Sequence, residues 1–163
     1  MEDFFSLFYR NNLYGEQLYY HLRGWDDASG GFVASADKFP IIFLVTFGTA
    51  LLMFLAYYYI FNHPRWNRWY HWLLPLFVSI GVGFGLAYGI VTTDLSAGVI
   101  ADSLAPYVGT GNAIMFGIYN GFLGGLWFFL LSLLLRSWSK NCKHSPWPLL
   151  ATKLNNKGKQ DHE

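Results

Sequence analysis

Three long apolar stretches, separated by short polar segments, set the pattern of this chain. They run from about residue 40 to 61, 72 to 92 and 112 to 135, and none of them contains Asp, Glu, Lys or Arg. Each stretch is long enough to cross a hydrocarbon core of roughly 30 Å as an α-helix. The pattern therefore predicts an all-α membrane protein with three transmembrane helices, in a membrane domain of residues 40–138.

Small residues recur every four positions in the second and third stretches. Four residues are just over one helical turn, so each series lies along one face of a helix. In a bilayer, small residues at this spacing let two helix backbones approach closely. The second helix carries two series on opposite faces, which predicts that it is packed on both sides. The positions predicted to pack are Gly81, Gly85 and Gly89 on one face, Ser79, Gly83 and Ala87 opposite, and Ala113, Gly117, Gly121 and Gly125 on the third helix.

The residues before the first stretch show a weaker, interrupted apolar pattern. Residues 1–39 hold no run long enough to span a membrane, but apolar residues recur between positions 4 and 22. This pattern predicts one or two short amphipathic helices that lie on the membrane surface. Packing of the segment against the helical bundle is the alternative.

Basic residues are distributed unevenly between the connecting segments, and this predicts the orientation. Arg65 and Arg68 lie in the hairpin between the first two stretches, whereas the loop of residues 93–111 contains neither Lys nor Arg. A polar, basic tail covers residues 139–163. Since cytoplasmic segments are rich in Lys and Arg, we expect the hairpin and the C-terminal tail in the cytoplasm and the N-terminus outside.

The composition agrees with a membrane location. Hydrophobic residues make up 53% of the chain and charged residues 13%, whereas soluble domains usually carry about 25% charged residues. The formal net charge of +1 gives no electrostatic surface for duplex nucleic acid, which we exclude as a partner. The lone cysteine, Cys142, excludes an intrachain disulfide.

Residue types that carry catalysis are missing from the predicted spans. Ionisable side chains inside a membrane mark proton relays and substrate paths, and these spans contain none. No histidine lies at mid-bilayer depth, which disfavours haem ligation between helices. The sequence also lacks a phosphate-binding loop and an H-E-x-x-H zinc motif. We therefore expect no enzyme activity, no metal site and no cofactor.

Neutral polar residues in and beside the spans are the candidates for a pore lining. Asn120 lies deep in the third stretch, where an amide without a partner costs several kcal/mol. Two interpretations stay open for it: a hydrogen bond between helices, or a ring of amides around a pore in an oligomer. Ser79, Thr92 and Thr93 are the other candidates.

Two aspartates, Asp94 and Asp102, are the only charged residues of the loop 93–111. In a cyclic oligomer they would form acidic rings at the outer mouth of a pore and favour cations. For Asp94, a solvated helix end is an equally good interpretation.

Two classes of function follow from the small-residue faces. Three helices cannot enclose an aqueous path alone, but they carry more packing faces than one unit needs. The first hypothesis is therefore a homo-oligomeric channel with closed cyclic symmetry. The alternative is a non-catalytic membrane subunit that docks onto other proteins of a larger complex. A lipid-interacting enzyme or a transporter is the weakest hypothesis, because no catalytic dyad and no inverted repeat are visible.

The layout of three spans, an outside N-terminus and a basic tail from Lys140 to Lys159 resembles that of class I holins, phage proteins that permeabilise the inner membrane. It is also similar to the small membrane effectors of bacterial anti-phage operons, which pair a nucleotide-signal synthase with a channel opened by its product. The resemblance covers the span layout and no motif, so it transfers no functional residue. It implies the bacterial inner membrane and a pore in antiviral defence. The chain's length and its aromatic N-terminal segment differ from holins and favour a gated channel.

Basic residues near the predicted cytoplasmic face would be the contacts for an anionic small-molecule activator. Alternatively, these residues determine the topology and contact anionic lipid headgroups. The residues concerned are Arg65, Arg68, Arg136, Lys140 and Lys143.

Overall fold

Three long helices form the body of the molecule, and a short helix precedes them. The computed structural model describes residues 8, 9, 13–60 and 69–135. A two-stranded antiparallel sheet lies between the first two helices. The elements are α1 (Glu16–Leu22), β1 (Trp25–Asp26), β2 (Gly31–Phe32), α2 (Phe39–Leu55, continued as a π-helix over Ala56–Ile60), α3 (Trp69–Ala97) and α4 (Thr110–Leu135).

Three segments are helical, long and apolar enough to cross a membrane: Ala34–Ile60, His71–Ala97 and Thr110–Leu134. This confirms the prediction of three such helices and indicates a multi-pass membrane protein. The second of these spanning helices, α3, is longer than predicted. It continues past Thr92 and ends at Ala97, directly before Gly98. Gly98 has a φ of 64°, a left-handed conformation that commonly terminates helices. The first residues of the predicted loop 93–111 are therefore helical.

The three long helices bury two separate clusters of side chains. α3 and α4 make the most extensive contact, and α2 packs across both. One cluster lies where α2 begins, α3 ends and α4 begins, and it includes Ile42, Val91 and Phe116. The other includes Phe54, Trp72 and Phe128. We call these two ends of the bundle the Asp94 end and the Trp72 end.

The chain before α2 lies within the Asp94 end of the bundle. We call residues 8, 9 and 13–24 the N-terminal segment. Its side chains of Tyr9, Tyr14, Leu18 and Leu22 are at most 1% exposed and belong to the cluster at this end. The segment is thus packed against the bundle, which is the alternative interpretation of its apolar pattern, and its position relative to a membrane surface stays a prediction. Burial of this many large side chains stabilises the packed position.

The loop between β1 and β2 is tied to the chain between α3 and α4. Asp27 accepts hydrogen bonds from the amide and hydroxyl groups of Ser103, the former at 3.0 Å, and from the indole of Trp25 at 3.0 Å. These bonds, chiefly that of the Ser103 hydroxyl, lower the pKa of Asp27 below its ordinary value. The carboxylate therefore joins two loops at the Asp94 end.

The contact between Asp27 and Ser103 is expected to depend on pH. Because the pKa is lowered in the folded protein, the contact is fully present above the ordinary aspartate range, about pH 4, and is lost as the pH falls through the lower folded value. We expect the NMR shift and the exchange rate of the Ser103 amide to change on acidification. Asp27→Asn should produce the same change at neutral pH, whereas the exposed neighbour Asp102→Asn should not. A Ser103 amide insensitive to both acid and Asp27→Asn would contradict this.

Candidate functional site

Asp94 is buried near the end of α3 and holds two basic side chains. Its Oδ2 atom accepts a hydrogen bond from Lys38 Nζ at 2.5 Å and lies 2.9 Å from Nε2 of His21. Lys38 directly precedes α2, and His21 lies in the last turn of α1. We call these three residues the Asp94 cluster. Three elements of the chain thus meet at one carboxylate oxygen.

The burial of the Asp94 cluster makes it the candidate site. His21 is 7% exposed and Asp94 9% exposed. A carboxylate in apolar surroundings requires a cation close by, and Lys38 supplies it while 30% of its own side chain stays accessible. Ionisable residues within spanning helices are costly and commonly functional. Through these contacts, Asp94 ties α1 and the residue before α2 to the last turns of α3.

The position of Asp94 differs from the one that the sequence suggested. Asp94 is not at a helix end, because α3 continues past it to Ala97, and α1 covers this turn of the helix. Its place at a pore mouth in an oligomer stays a prediction. Asp102 is exposed. The two aspartates of the predicted mouth therefore have different environments: Asp102 is exposed, and Asp94 is largely buried at the end of a groove.

His21 and Lys38 were not predicted as site residues. A signal for Lys38 was present: it precedes the first span, and Asp94 follows the predicted second span. Antiparallel neighbours bring such positions to the same end of a bundle. For His21 no local pattern existed, since it lies 73 residues before Asp94 in the chain.

An open groove begins at the Asp94 cluster and runs along α3. It has a volume of about 510 Å³ and lies between the start of α2 and one face of α3. A Cβ atom built on Gly81, Gly85 or Gly89 would have no neighbour within 4 Å. At these three glycine positions, the face of α3 is therefore open among the described residues. The groove is lined by Lys38, Ile41, Gly85, Leu86, Gly89, Ile90, Thr93 and Asp94.

The opposite face of α3 lies directly against α4. A Cβ atom on Gly83 would be 2.9 Å from the backbone oxygen of Asn120, and one on Gly124 would be 2.6 Å from that of Ser79. A Cβ atom on Gly121 would lie 2.9 Å from the backbone oxygen of Ile80. Cβ atoms on Gly117 and Gly125 would meet side chains, that of Phe84 at 2.9 Å and that of Ile80 at 2.8 Å. The two small-residue faces of α3 thus differ: one is filled within the chain and the other is open.

Asn120 links all three long helices and the N-terminal segment. Its amide nitrogen donates to Thr46 Oγ1 at 2.9 Å and to the Gly83 backbone oxygen at 2.7 Å, and its oxygen accepts from the Tyr9 hydroxyl at 3.0 Å. Burial raises the pKa of Tyr9 above its usual range, so this hydroxyl stays a donor. Asn120 is 0% exposed. Of its two interpretations, the contacts correspond to the hydrogen bond between helices.

The other predicted lining residues have separate environments. Ser79 is buried and donates to the Pro75 backbone oxygen at 2.9 Å. Thr92 also bonds to its own helix, at Tyr88 O, 2.9 Å away. Thr93 is exposed and lines the groove. Of the four candidates, Thr93 is exposed, Thr92 is half-buried, and Ser79 and Asn120 are buried.

The proposed cytoplasmic contacts lie outside the described residues. These are Arg65, Arg68, Arg136, Lys140 and Lys143, and the tail 139–163 and Cys142 lie there too. Within the described ranges, no group of three His, Cys, Asp or Glu side chains is placed to hold a metal ion. The Asp94 cluster itself offers one carboxylate and one imidazole beside a lysine cation, which would repel a metal.

Comparison with family models, with curated proteins and with solved structures found no match to this chain.

Proposed function

We propose that the protein is the subunit of a homo-oligomeric ion channel in a membrane, and that copies associate along the open face of α3. The observation that carries the proposal is the difference between the two faces of this helix. The face with Gly83 is filled by α4, whereas the face with Gly81, Gly85 and Gly89 is open. Small residues at this spacing are typical of contacts between membrane helices.

The polar groups that line the groove favour a conducting path over a mere packing contact between copies. Lys38, Thr93 and Asp94 stand at one end of it, and exposed glycine backbone continues beyond them. Charged side chains that face such a space in spanning helices mark ion pathways. Closure of several copies into a ring would enclose the groove, and its wall would combine backbone, a hydroxyl group and the charged cluster.

The remaining parts of the proposal concern regulation and location. The span layout resembles that of small effectors in the bacterial inner membrane, and a gated channel in antiviral defence is proposed on this resemblance. Arg65, Arg68 and the basic residues after α4 would then contact an anionic activator or anionic lipid headgroups. The protein needs no cofactor and no catalytic group for this function.

A second candidate is a non-catalytic subunit whose open faces receive helices of other membrane proteins. A second groove of about 300 Å³ lies between α3 and α4 and favours it, because its wholly apolar lining suits a helix of another protein and offers no polar group to an ion. Its lining residues are Trp72, Leu76, Ile80, Phe122, Gly125, Leu126 and Phe129.

Gly85→Leu tests the proposal, because a leucine there fills the groove without a collision inside the chain. We expect the variant to fold and to lose both the oligomer, measured by native mass spectrometry in nanodiscs, and the conductance of planar bilayers. Gly48→Leu is the matched control. Gly48 lies on α2 and likewise has no neighbour within 4 Å of a built Cβ.

The outcomes separate the candidates. Loss of the oligomer with Gly85→Leu alone supports association along this face of α3. A wild-type protein that is monomeric and non-conducting would exclude the channel and leave the subunit of a mixed complex. An oligomer that survives Gly85→Leu unchanged would place the contact elsewhere.

A further inference from the structure

The N-terminal segment fills the Asp94 end of the bundle, although it belongs to none of the long helices. The ring of Tyr9 stacks on Phe39 of α2 with a centroid distance of 4.9 Å. The ring of Tyr14 lies 4.8 Å from that of Phe116 on α4. At this end, the segment therefore fills the space between the long helices.

Polar side chains of the long helices are directed at the segment. Asn120 accepts its hydrogen bond from Tyr9 at 3.0 Å. Asn112 donates from Nδ2 to the backbone oxygen of Tyr14 at 2.9 Å. The hydroxyl of Tyr119 donates to another backbone oxygen of the segment, and the Asp94 cluster adds the contact with α1. If the segment left, each of these groups would face the vacated space and could bind water.

The Trp72 end is closed in a different way. Among the described residues, its cluster consists of side chains from the long helices and the π-helical turn of α2, including Phe54, Tyr58 and Phe128. A hydrogen bond from Trp72 Nε1 to Ser132 Oγ, 3.3 Å long, joins two of the long helices there. Opening this end would expose aromatic rings and separate the long helices. At the Asp94 end, by contrast, part of the buried cluster comes from the N-terminal segment and from the loop residues Ile100, Leu104 and Val108.

We infer that the N-terminal segment is a displaceable plug that closes the Asp94 end of the bundle. In the bound state it seals the interior. In the released state Asn112, Tyr119, Asn120 and Asp94 line a hydrated vestibule. The vestibule as an entrance to an ion path rests on the proposed function, but release of the plug does not.

The local structure of the segment suits such a movement. α1 has seven residues, which is too short for stable helix formation in isolation. Glycines flank it on both sides, Gly15 with a φ of 100° and Gly24 with a φ of 86°. These positive values mark sharp changes of chain direction, which glycine adopts readily. Two side chains of the segment make polar contacts with the long helices: Tyr9 bonds to α4, and His21 contacts α3. Substitution of these two residues would therefore weaken the attachment of the segment.

Cysteine labelling measures the release directly. In full-length Cys142→Ser protein in nanodiscs, Val91→Cys reports on the Asp94 end and Ala50→Cys on the Trp72 end. Both positions are 0% exposed on long helices. The plug is weakened by Tyr9→Phe with His21→Gln, which keep the ring and much of the side-chain volume. We expect a water-soluble, membrane-impermeant maleimide to label the thiol of Val91→Cys at least about tenfold faster in the weakened variant, with the labelling of Ala50→Cys unchanged.

Each result decides the question. Equal labelling of Val91→Cys in both backgrounds would show that the segment is a permanent part of the core and overturn the inference. A parallel rise at Val91→Cys and Ala50→Cys would do the same, because the whole bundle would then be opening. Faster labelling of Val91→Cys alone, without conductance in planar bilayers, would support the plug and count against the channel. Conductance without faster labelling would count against the plug only.

Discussion

Gly124→Ala is expected to destabilise the bundle by about 2–3 kcal/mol, although it adds a single methyl group. The new Cβ atom would lie 2.6 Å from the backbone oxygen of Ser79 and 3.4 Å from Cγ2 of Thr46. Since the nearest atom belongs to the backbone of α3, no side-chain rotation removes the collision. The helices must move apart, which weakens the most extensive contact of the fold. Equilibrium unfolding in mixed micelles with increasing SDS would measure the loss.

Gly48→Ala is the control for Gly124→Ala, because it makes the same chemical change where no atom lies within 4 Å. We expect no loss of stability there, and alanine is the better helix former. Equal effects of the two substitutions would show that helix propensity, and not the close approach of α3 and α4, determines the result.

Asn120→Ala is expected to cost about 2–4 kcal/mol of the free energy of unfolding, through the loss of three hydrogen bonds and the cavity left behind. The Tyr9 hydroxyl and the Gly83 carbonyl would both lose the hydrogen bond that they make with this side chain. Hydrogen bonds between membrane helices are commonly worth about 0.6 kcal/mol each, which sets the lower part of the range. The same SDS titration measures the effect, and faster proteolysis of the N-terminal segment should accompany it.

Asn112→Ala provides the comparison for Asn120→Ala. Asn112 is half-buried at the start of α4, where it bonds to Tyr14 and to the Gly109 amide. Water can replace these partners, so we expect a loss below about 1.5 kcal/mol. A larger effect at Asn112 than at Asn120 would contradict the central role of the Asn120 amide.

The three long helices could be predicted because length and apolar character are local properties of the sequence. The end of α3 could not, since the polar run from Thr92 to Ser96 is typical of a loop. The helix continues there because α1 covers it and Asp94 finds a cation in Lys38. The hydrophobic pattern does not reveal the longer helix, because a charged residue such as Asp94 is taken as exposed in that pattern.

The partners within the bundle could not be predicted for a different reason. The two small-residue faces of α3 have similar composition, and only the placement of α4 decides which of them is filled. Likewise, the contact between Tyr9 and Asn120 joins residues 111 positions apart. The sequence did show that Asn120 requires a partner in apolar surroundings, and it left open where that partner would come from.

The separation of Tyr9 from Asn120 also sets an order of assembly. The ribosome makes the N-terminal segment first, but its binding place includes Asn112, Tyr119 and Asn120 of the last long helix. During synthesis the contacts of the segment with α2 and α3 can form first, whereas those with Asn112, Tyr119 and Asn120 require that α4 has been made. Complete docking of the segment therefore follows the synthesis of the last long helix.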